Sequence, residues 1–221
     1  MIWAIVPAFN EEKKIGRVIS GLFEHGAEKI IVVDDGSNDK TAENARAAGA
    51  IVLSHKINRG QGAALQTGDE YAFLNGAEYA VHFDGDGQFN PADIIPAVDF
   101  LRKNNLDIVL GSRFLDGRSC LPFLKRYFVL PVARLVNYFL TGLKLSDAHN
   151  GFRVLSRRAL AELKITRDGM AHNSEIVALI KEKKLEFAEF PVEVRYFEYG
   201  QGTKEGIKIV LDIFMAKIIG K

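Results

Sequence analysis

Two acids separated by a single residue are the part of this chain best suited to chemistry. In Val81-His82-Phe83-Asp84-Gly85-Asp86-Gly87-Gln88 the apolar run Ala80–Phe83 reads as the end of a strand, and Asp84 and Asp86 follow at once. Gly85 and Gly87 free the intervening backbone to turn. Carboxylates this close repel, so each resists ionising unless a cation sits between them. A divalent ion is the usual solution, and all-oxygen ligands suit Mg²⁺ or Mn²⁺. A solvated acidic turn is the plainer alternative, since Asp-Gly pairs are common turn formers.

The elements around this pair must bring it to a useful place. Ile2–Val6 reads as a short apolar strand followed by Pro7-Ala8-Phe9-Asn10. Ile15, Val18, Ile19, Leu22 and Phe23 have helical spacing, ended by Gly26. Ile30–Val33 is a second strand, turning through Asp34-Asp35-Gly36-Ser37 into a helix over Thr41–Ala48. Ile51–Ser54 is a third strand, Gly60–Leu74 a helix, Pro91 the first residue of another, and Asp107–Leu110 a fifth strand. Continuous apolar strands alternating with helices predict an α/β fold, a mostly parallel sheet covered on both faces. Ligands of such sheets sit beyond the carboxyl ends of the strands. The loops there are Pro7–Glu12, Asp34–Ser37, His55–Gly62 and Asp84–Gln88, and three of these four are acidic.

At 221 residues, 48% hydrophobic and 26% charged, the chain is long enough for one sizeable core, so a single domain over 1–221 is expected. A formal net charge of +1 gives no general argument for binding nucleic acid. The charge is unevenly spread: residues 1–117 hold 11 Lys/Arg against 17 Asp/Glu, a balance of −6, and residues 118–221 hold 18 against 11, a balance of +7. The lone Cys120 rules out an internal disulfide and fits a reducing compartment. The N-terminus lacks the basic region and cleavage site of a signal peptide, and no run of 18 apolar residues occurs, so a cytoplasmic location is expected.

The second half departs from the strand–helix alternation. Gly117–Ser146 contains no acid, yet Arg118, Lys125, Arg126, Arg134 and Lys144 interleave with Phe123, Tyr127, Phe128, Tyr138 and Phe139. Pro122 and Pro131 divide it into short helices, and such a basic amphipathic insertion suits a membrane surface with anionic headgroups. Packing of the same helices on the sheet is the alternative. Beyond it come a strand over Phe152–Leu155, a helix from about Ser174 to Glu182 and a strand over Glu186–Tyr196. A final helix over Ile207–Ile219 would rise about 20 Å, short of a hydrocarbon core of roughly 30 Å. It would dock on the core, lie on a membrane or meet a partner.

Taken together and in order, Ile5-Val6-Pro7-Ala8-Phe9-Asn10-Glu11-Glu12, Val32-Val33-Asp34-Asp35-Gly36-Ser37, Asn58-Arg59-Gly60-Gln61-Gly62 and Asp84-Gly85-Asp86-Gly87-Gln88 resemble the family 2 glycosyltransferases of GT-A fold. Gly111-Ser112-Arg113-Phe114, Ser146-Asp147 and Gly151-Phe152-Arg153 resemble the branch that makes dolichyl- and polyprenyl-phosphate sugars. The resemblance runs from residue 2 to about 204. It implies a Rossmann-like sheet carrying a nucleotide-sugar donor, UDP- or GDP-linked, and a polyprenyl-phosphate acceptor. Residues 1–117 would bind the donor, and 118–221 the acceptor and the membrane, with a membrane-spanning protein as a conceivable partner.

The same resemblance gives Pro7, Phe9, Glu11, Val33 and Asp35 the base and ribose. It gives Asp84, Asp86 and Gln88 the metal that bridges the diphosphate, with Gly85 between them. Arg113 would meet a phosphate through its fork, its alternative being a structural ion pair. Asp147 and Arg153 would flank an acceptor channel, and Lys204 with Arg195 would close over the diphosphate. The chain departs from the pattern at Phe9, where Tyr is frequent, at Gly85, where Ala is common, and at Gln61, where many relatives carry Lys.

An inverting displacement follows, needing no base if the acceptor is already an anion. A sugar hydroxyl acceptor would need one, and Asp147 is the candidate. His149 and His172 lack metal spacing and read as hydrogen-bonded histidines, and Glu175 as an acid opening a helix.

Three rivals are weaker. The Asp-x-Asp-Gly turn also resembles the nucleophile loop of haloacid-dehalogenase-type phosphatases, but Gln88 stands where Thr is expected and the loop is in mid-chain. A nicotinamide enzyme would need a G-x-G-x-x-G turn after the first strand. A catalytically inactive nucleotide-binding subunit would be favoured by loss of a metal carboxylate, and both are present.

Overall fold

The computed structural model describes residues 1–118, 142–147 and 149–195. The expected helices over 119–141 and 207–219, and Lys204, lie outside them. The first half follows the alternation closely: β1 (Ile2–Ala8), α1 (Ile15–Glu24), β2 (Lys29–Asp34), α2 (Thr41–Ala47), β3 (Ile51–Ser54), α3 (Gln61–Leu74) and β4 (Tyr79–His82). A single 3₁₀ turn at Pro91–Asp93, capped by the Asn90 side chain, opens α4 (Ile94–Lys103), and β5 is Ile108–Ser112. Then come β6 (Arg153–Ser156), α5 (Arg157–Glu162), α6 (His172–Glu182) and β7 (Phe187–Pro191).

These strands make one seven-stranded sheet in the order β3-β2-β1-β4-β6-β5-β7. β6 runs antiparallel to both its neighbours, and the other adjacent pairs are parallel. The second half is thereby threaded into the middle of the first, between β4 and β5. Successive residues of each strand face opposite sides. Ile2, Ala4, Val6, Ile30 and Val32 join one apolar layer with α1, α2 and α4. Trp3, Ile5, Ile31 and Val33 join the other with α3, α5 and α6.

α3 packs on the sheet through small residues: Ala64, Gly68 and Ala72 are all buried, and Ala64 and Ala72 belong to the apolar layer of Ile5 and Val33. A Cβ at Gly68 would stand 2.3 Å from Ile5 Cγ2, so a larger residue there would lift the helix. The expected strand over Glu186–Tyr196 ends at Pro191. Past it the chain crosses to the acid loop, where Arg195 N–H donates to the Gln88 carbonyl at 2.8 Å and Asn90 N–H to the Glu193 carbonyl at 3.2 Å. Arg118, expected on the membrane-facing stretch, is instead tied down: it meets Asp93 at 2.8 Å, Asp116, and the Pro191 carbonyl at 2.8 Å.

Candidate active site

The ends of β1, β2 and β4 and the start of α3 enclose a cleft of about 300 Å³. Pro7, Phe9, Glu11, Asp35, Asp84, Gly85 and Asp86, all expected in the site, line it. They converge because the loops are stitched together. Asn10 N–H donates to Ser37 Oγ, Glu11 N–H to Thr41 Oγ1 and Asn38 N–H to the Asn10 side chain, at 2.9, 2.8 and 3.0 Å. Phe9 is 43% exposed, leaving its ring face free to pack against a planar ligand. Val33 and Gln88 are the exceptions: Gln88 does not line the cleft, and the Val33 side chain is wholly buried in the layer under α3, behind it.

The acid pair sits at the cleft floor. Asp84 Oδ1 accepts a 2.8 Å hydrogen bond from Gln61 Nε2, and Asp86 Oδ1 one of 2.9 Å from Gln88 N–H. Burial and then the neighbouring Asp86 charge push Asp84 up to about 6, against the pull of Arg153, the Gln61 amide and Arg113. Burial likewise raises Asp86 and Glu11. Gly151 leaves room for this arrangement, since a Cβ there would lie 2.5 Å from Asp84 Oδ2.

Among the described residues no group of three or more His, Cys, Asp or Glu is placed to hold an ion. Two inward carboxylates nevertheless fit Mg²⁺ or Mn²⁺, which are commonly held by one or two carboxylates together with substrate phosphates and water. The raised Asp84 points the same way, because a cation in the cleft would relieve it.

The expected phosphate and acceptor residues lie elsewhere. Arg113 directs its fork at Asp147, with Nε–Oδ2 and NH2–Oδ1 distances of 2.6 Å, and its N–H reaches Asp147 Oδ2 at 3.1 Å. Glu189 of β7 fixes that loop by accepting from Ser146 N–H at 2.8 Å, Ser146 Oγ at 2.7 Å and Asp147 N–H at 3.1 Å. Arg153, expected beside an acceptor channel, is only 2% exposed. It bonds Asn173 and the Gly151 carbonyl, while burial lowers it to about 10 against the charges of Asp84, Asp69 and Asp147. Its place is set by the sheet, directly across from His82 in the β4–β6 register. The Arg195 guanidinium pairs with Glu193 at 2.7 Å. His172 is the hydrogen-bonded core histidine expected, its Nδ1 on the Gly169 carbonyl at 2.9 Å. Glu175 faces the Thr166–Arg167 backbone, accepting from Arg167 N–H at 2.9 Å.

Three features of the site come from the loop His55–Gly62, which the strand pattern sets at this edge without showing what its side chains touch. Asn58 and Gly60 line the cleft beside Asp35. Gln61 contacts Asp84 directly. His55, next to the third strand, bonds Asp35 at 2.6 Å. Its position in a strand-end loop was the available signal.

The description "Glycosyl transferase family 2" matches residues 3–164, most of the chain. The chain belongs to that family. The enzyme is 36% identical to an uncharacterised protein of Methanocaldococcus jannaschii, over 98% of this chain and 92% of that one. It is 31% identical to the UDP-N-acetylglucosamine–dolichyl-phosphate N-acetylglucosaminyltransferase of Methanococcus voltae, over 99% of this chain and 96% of that one. Its GT-A fold is shared with glucosyl-3-phosphoglycerate synthase of Mycobacterium tuberculosis, crystallised with Mn²⁺, UDP and glucosyl-3-phosphoglycerate. That match has a TM-score of 0.72 at 20% identity, covering 100% of this chain and 79% of that one. Among the described residues no helix is long and apolar enough to cross a membrane.

Proposed function

We propose that this glycosyltransferase is inverting and metal-dependent, and moves a sugar from a nucleoside diphosphate to a polyprenyl phosphate of the dolichyl type. The observation that carries the reading is the convergence of Asp84 and Asp86 with Phe9, Glu11 and Asp35 in one cleft. Phe9 packs on the base and Asp35 accepts a donor hydrogen from the base or ribose. Asp84 and Asp86 hold Mg²⁺ or Mn²⁺, with Gln88 fixing Asp86 through its N–H. The bound ion supplies Lewis-acid stabilisation of the charge gathering on the departing diphosphate.

An oxygen of the acceptor phosphate attacks the anomeric carbon from the face opposite the diphosphate. The new carbon–oxygen bond forms as the old one breaks, and the nucleoside diphosphate leaves with the electron pair. The nucleophile is already an anion near neutral pH, so positioning and electrostatics suffice. Asp147 makes a poor base, since Arg113 and Asn150 occupy its oxygens. The lipid acceptor is supported by the likeness to the Methanococcus voltae enzyme and by the acid-free aromatic stretch 117–146. In this reading 1–117 serves the donor and 118–221 the acceptor, and the enzyme works peripherally on the cytoplasmic face of a membrane, with or without a membrane-spanning partner.

The test is transfer of labelled sugar from UDP- and GDP-sugars to polyprenyl phosphate with Mn²⁺ or Mg²⁺. Asp86→Ala is expected to lose about a hundredfold or more of that activity, the several kcal/mol that metal stabilisation supplies. Undiminished, metal-independent nucleotide binding by that variant would sink the metal assignment. Labelling of sugar hydroxyls in place of the phosphate would sink the acceptor.

A further inference from the structure

The Asp35 carboxylate, only 4% exposed, is nearly filled by the protein itself. Its Oδ1 accepts from His55 Nδ1 at 2.6 Å and from Arg59 N–H at 3.0 Å, and its Oδ2 from Gly60 N–H at 2.6 Å. A carboxylate offers about four acceptor positions. Three are taken, and one on Oδ2 is left for whatever enters the cleft that Asp35 lines. His55 is itself braced from behind: its Nε2 meets Thr67 Oγ1 at 3.0 Å, and that hydroxyl contacts the Ala63 carbonyl of α3 at 2.9 Å. The imidazole is 11% exposed and does not line the cleft, so it acts through Asp35.

We propose that His55 is a positioning residue that makes Asp35 a single-acceptor site, and that this site selects a uracil over a guanine base in the donor. Uracil presents one ring N–H between two carbonyls, which one open lone pair satisfies. The comparable edge of guanine presents two adjacent N–H donors, which suit a carboxylate with both oxygens free. Against Asp35 one of them is left without an acceptor, at a cost of about tenfold in affinity or more. The Arg59 and Gly60 N–H groups are committed to Asp35 and are not free to serve the guanine carbonyl. The inference rests on the reading of Asp35 as the nucleoside end of the donor site.

Calorimetric titration of the full chain with UDP and with GDP, each with Mn²⁺, tests it. The wild type is expected to bind UDP about tenfold tighter than GDP or better. His55→Leu frees Oδ1, so UDP binding weakens and the preference shrinks to about threefold or less. His55→Asn keeps an N–H for Asp35 and retains most of the preference. Thr67→Val, which removes the brace, narrows it less and serves if His55→Leu does not fold, as judged by thermal melting. Equal binding of GDP and UDP by the wild type overturns the inference, and so does a folded His55→Leu variant with the wild-type ratio. A wild type that binds neither nucleotide, or an Asp35→Asn variant that binds both as the wild type does, removes the donor-site reading beneath it. Loss in Asp35→Asn with no effect of His55→Leu leaves that reading standing and the inference overturned.

Discussion

Asp84 and Asp147 are aspartates in two corners of the strand-end edge, and they hold their charge in opposite ways. Asp147 is 6% exposed, and burial pushes it up, but the Arg113 fork, its N–H and the Asn150 amide pull it further down, below the usual carboxylate range. Asp84 receives one amide hydrogen bond from the protein and ends near 6. The Asp147 oxygens are taken by a guanidinium and an amide of its own chain, which hold its loop in place. An acid left short of partners in a cleft is where a cation from outside is wanted. The resemblance already gives them different work, Asp84 the metal and Asp147 the flank of an acceptor channel.

The Asp84 corner is most sensitive to enlargement of Gly151, whose Cβ would lie 2.5 Å from Asp84 Oδ2. Gly151→Ala drives a methyl into the Asp84 carboxylate, and displacement by about an ångström of the oxygen proposed to hold the metal is expected to cost about a hundredfold in transfer rate. Assays over a Mn²⁺ series would show it, and an unchanged rate would mean that Asp84 does not act from this position. Asp147→Asn should instead leave nucleotide affinity near wild type while losing about 3 kcal/mol in urea unfolding, since it removes the buried carboxylate charge that the Arg113 fork is set against. A loss of nucleotide binding with full stability would reverse the two roles.

Acid titration separates the aspartates without mutation. Asp147, lowered on folding, contributes stability above its ordinary range near 3.8, and that stability is lost as pH falls through its folded value. Asp84, raised from 3.8 to about 6, favours the folded state at low pH, and that contribution is lost as pH rises through about 6. Metal-dependent UDP binding should therefore weaken below about pH 6, and an Asp84→Asn variant should lose that step in a calorimetric pH series. The smallest effect is expected of Gln61→Ala. Loss of one amide hydrogen bond, about 1 kcal/mol, should weaken Mn²⁺ binding a few-fold.

Much of the first half was legible in the chain because its signals are local. Strand periodicity and the glycine and acid loops placed Pro7, Phe9, Glu11, Asp35, Asp84 and Asp86 at one edge, and they share one cleft. What stayed hidden depends on contacts between distant segments. No local pattern says that β6 inserts antiparallel between β4 and β5, yet that insertion sets Gly151 against Asp84 and buries Arg153 opposite His82. The Arg113–Asp147 pair joins residues 34 apart in sequence, so the local pattern favours a phosphate ligand at Arg113 and gives no sign of its partner. Nothing around Asp34-Asp35-Gly36 signals that His55, Arg59 and Gly60, 20 to 25 residues on, fill most of the Asp35 carboxylate.

The glycines at the head of α3 have a further consequence. A Cβ at Gly60 would stand 2.5 Å from the Asp168 carbonyl, and one at Gly62 2.0 Å from that of Arg167. The room is filled by protein: the Asp168 carbonyl accepts from Gly62 N–H at 2.7 Å and from Ala63 N–H at 3.3 Å. Glycine-rich loops that open a helix commonly leave such N–H groups to grip phosphate. Here they are occupied before any ligand arrives, so a spent nucleoside diphosphate finds no grip on those two amides, and its departure does not have to break one.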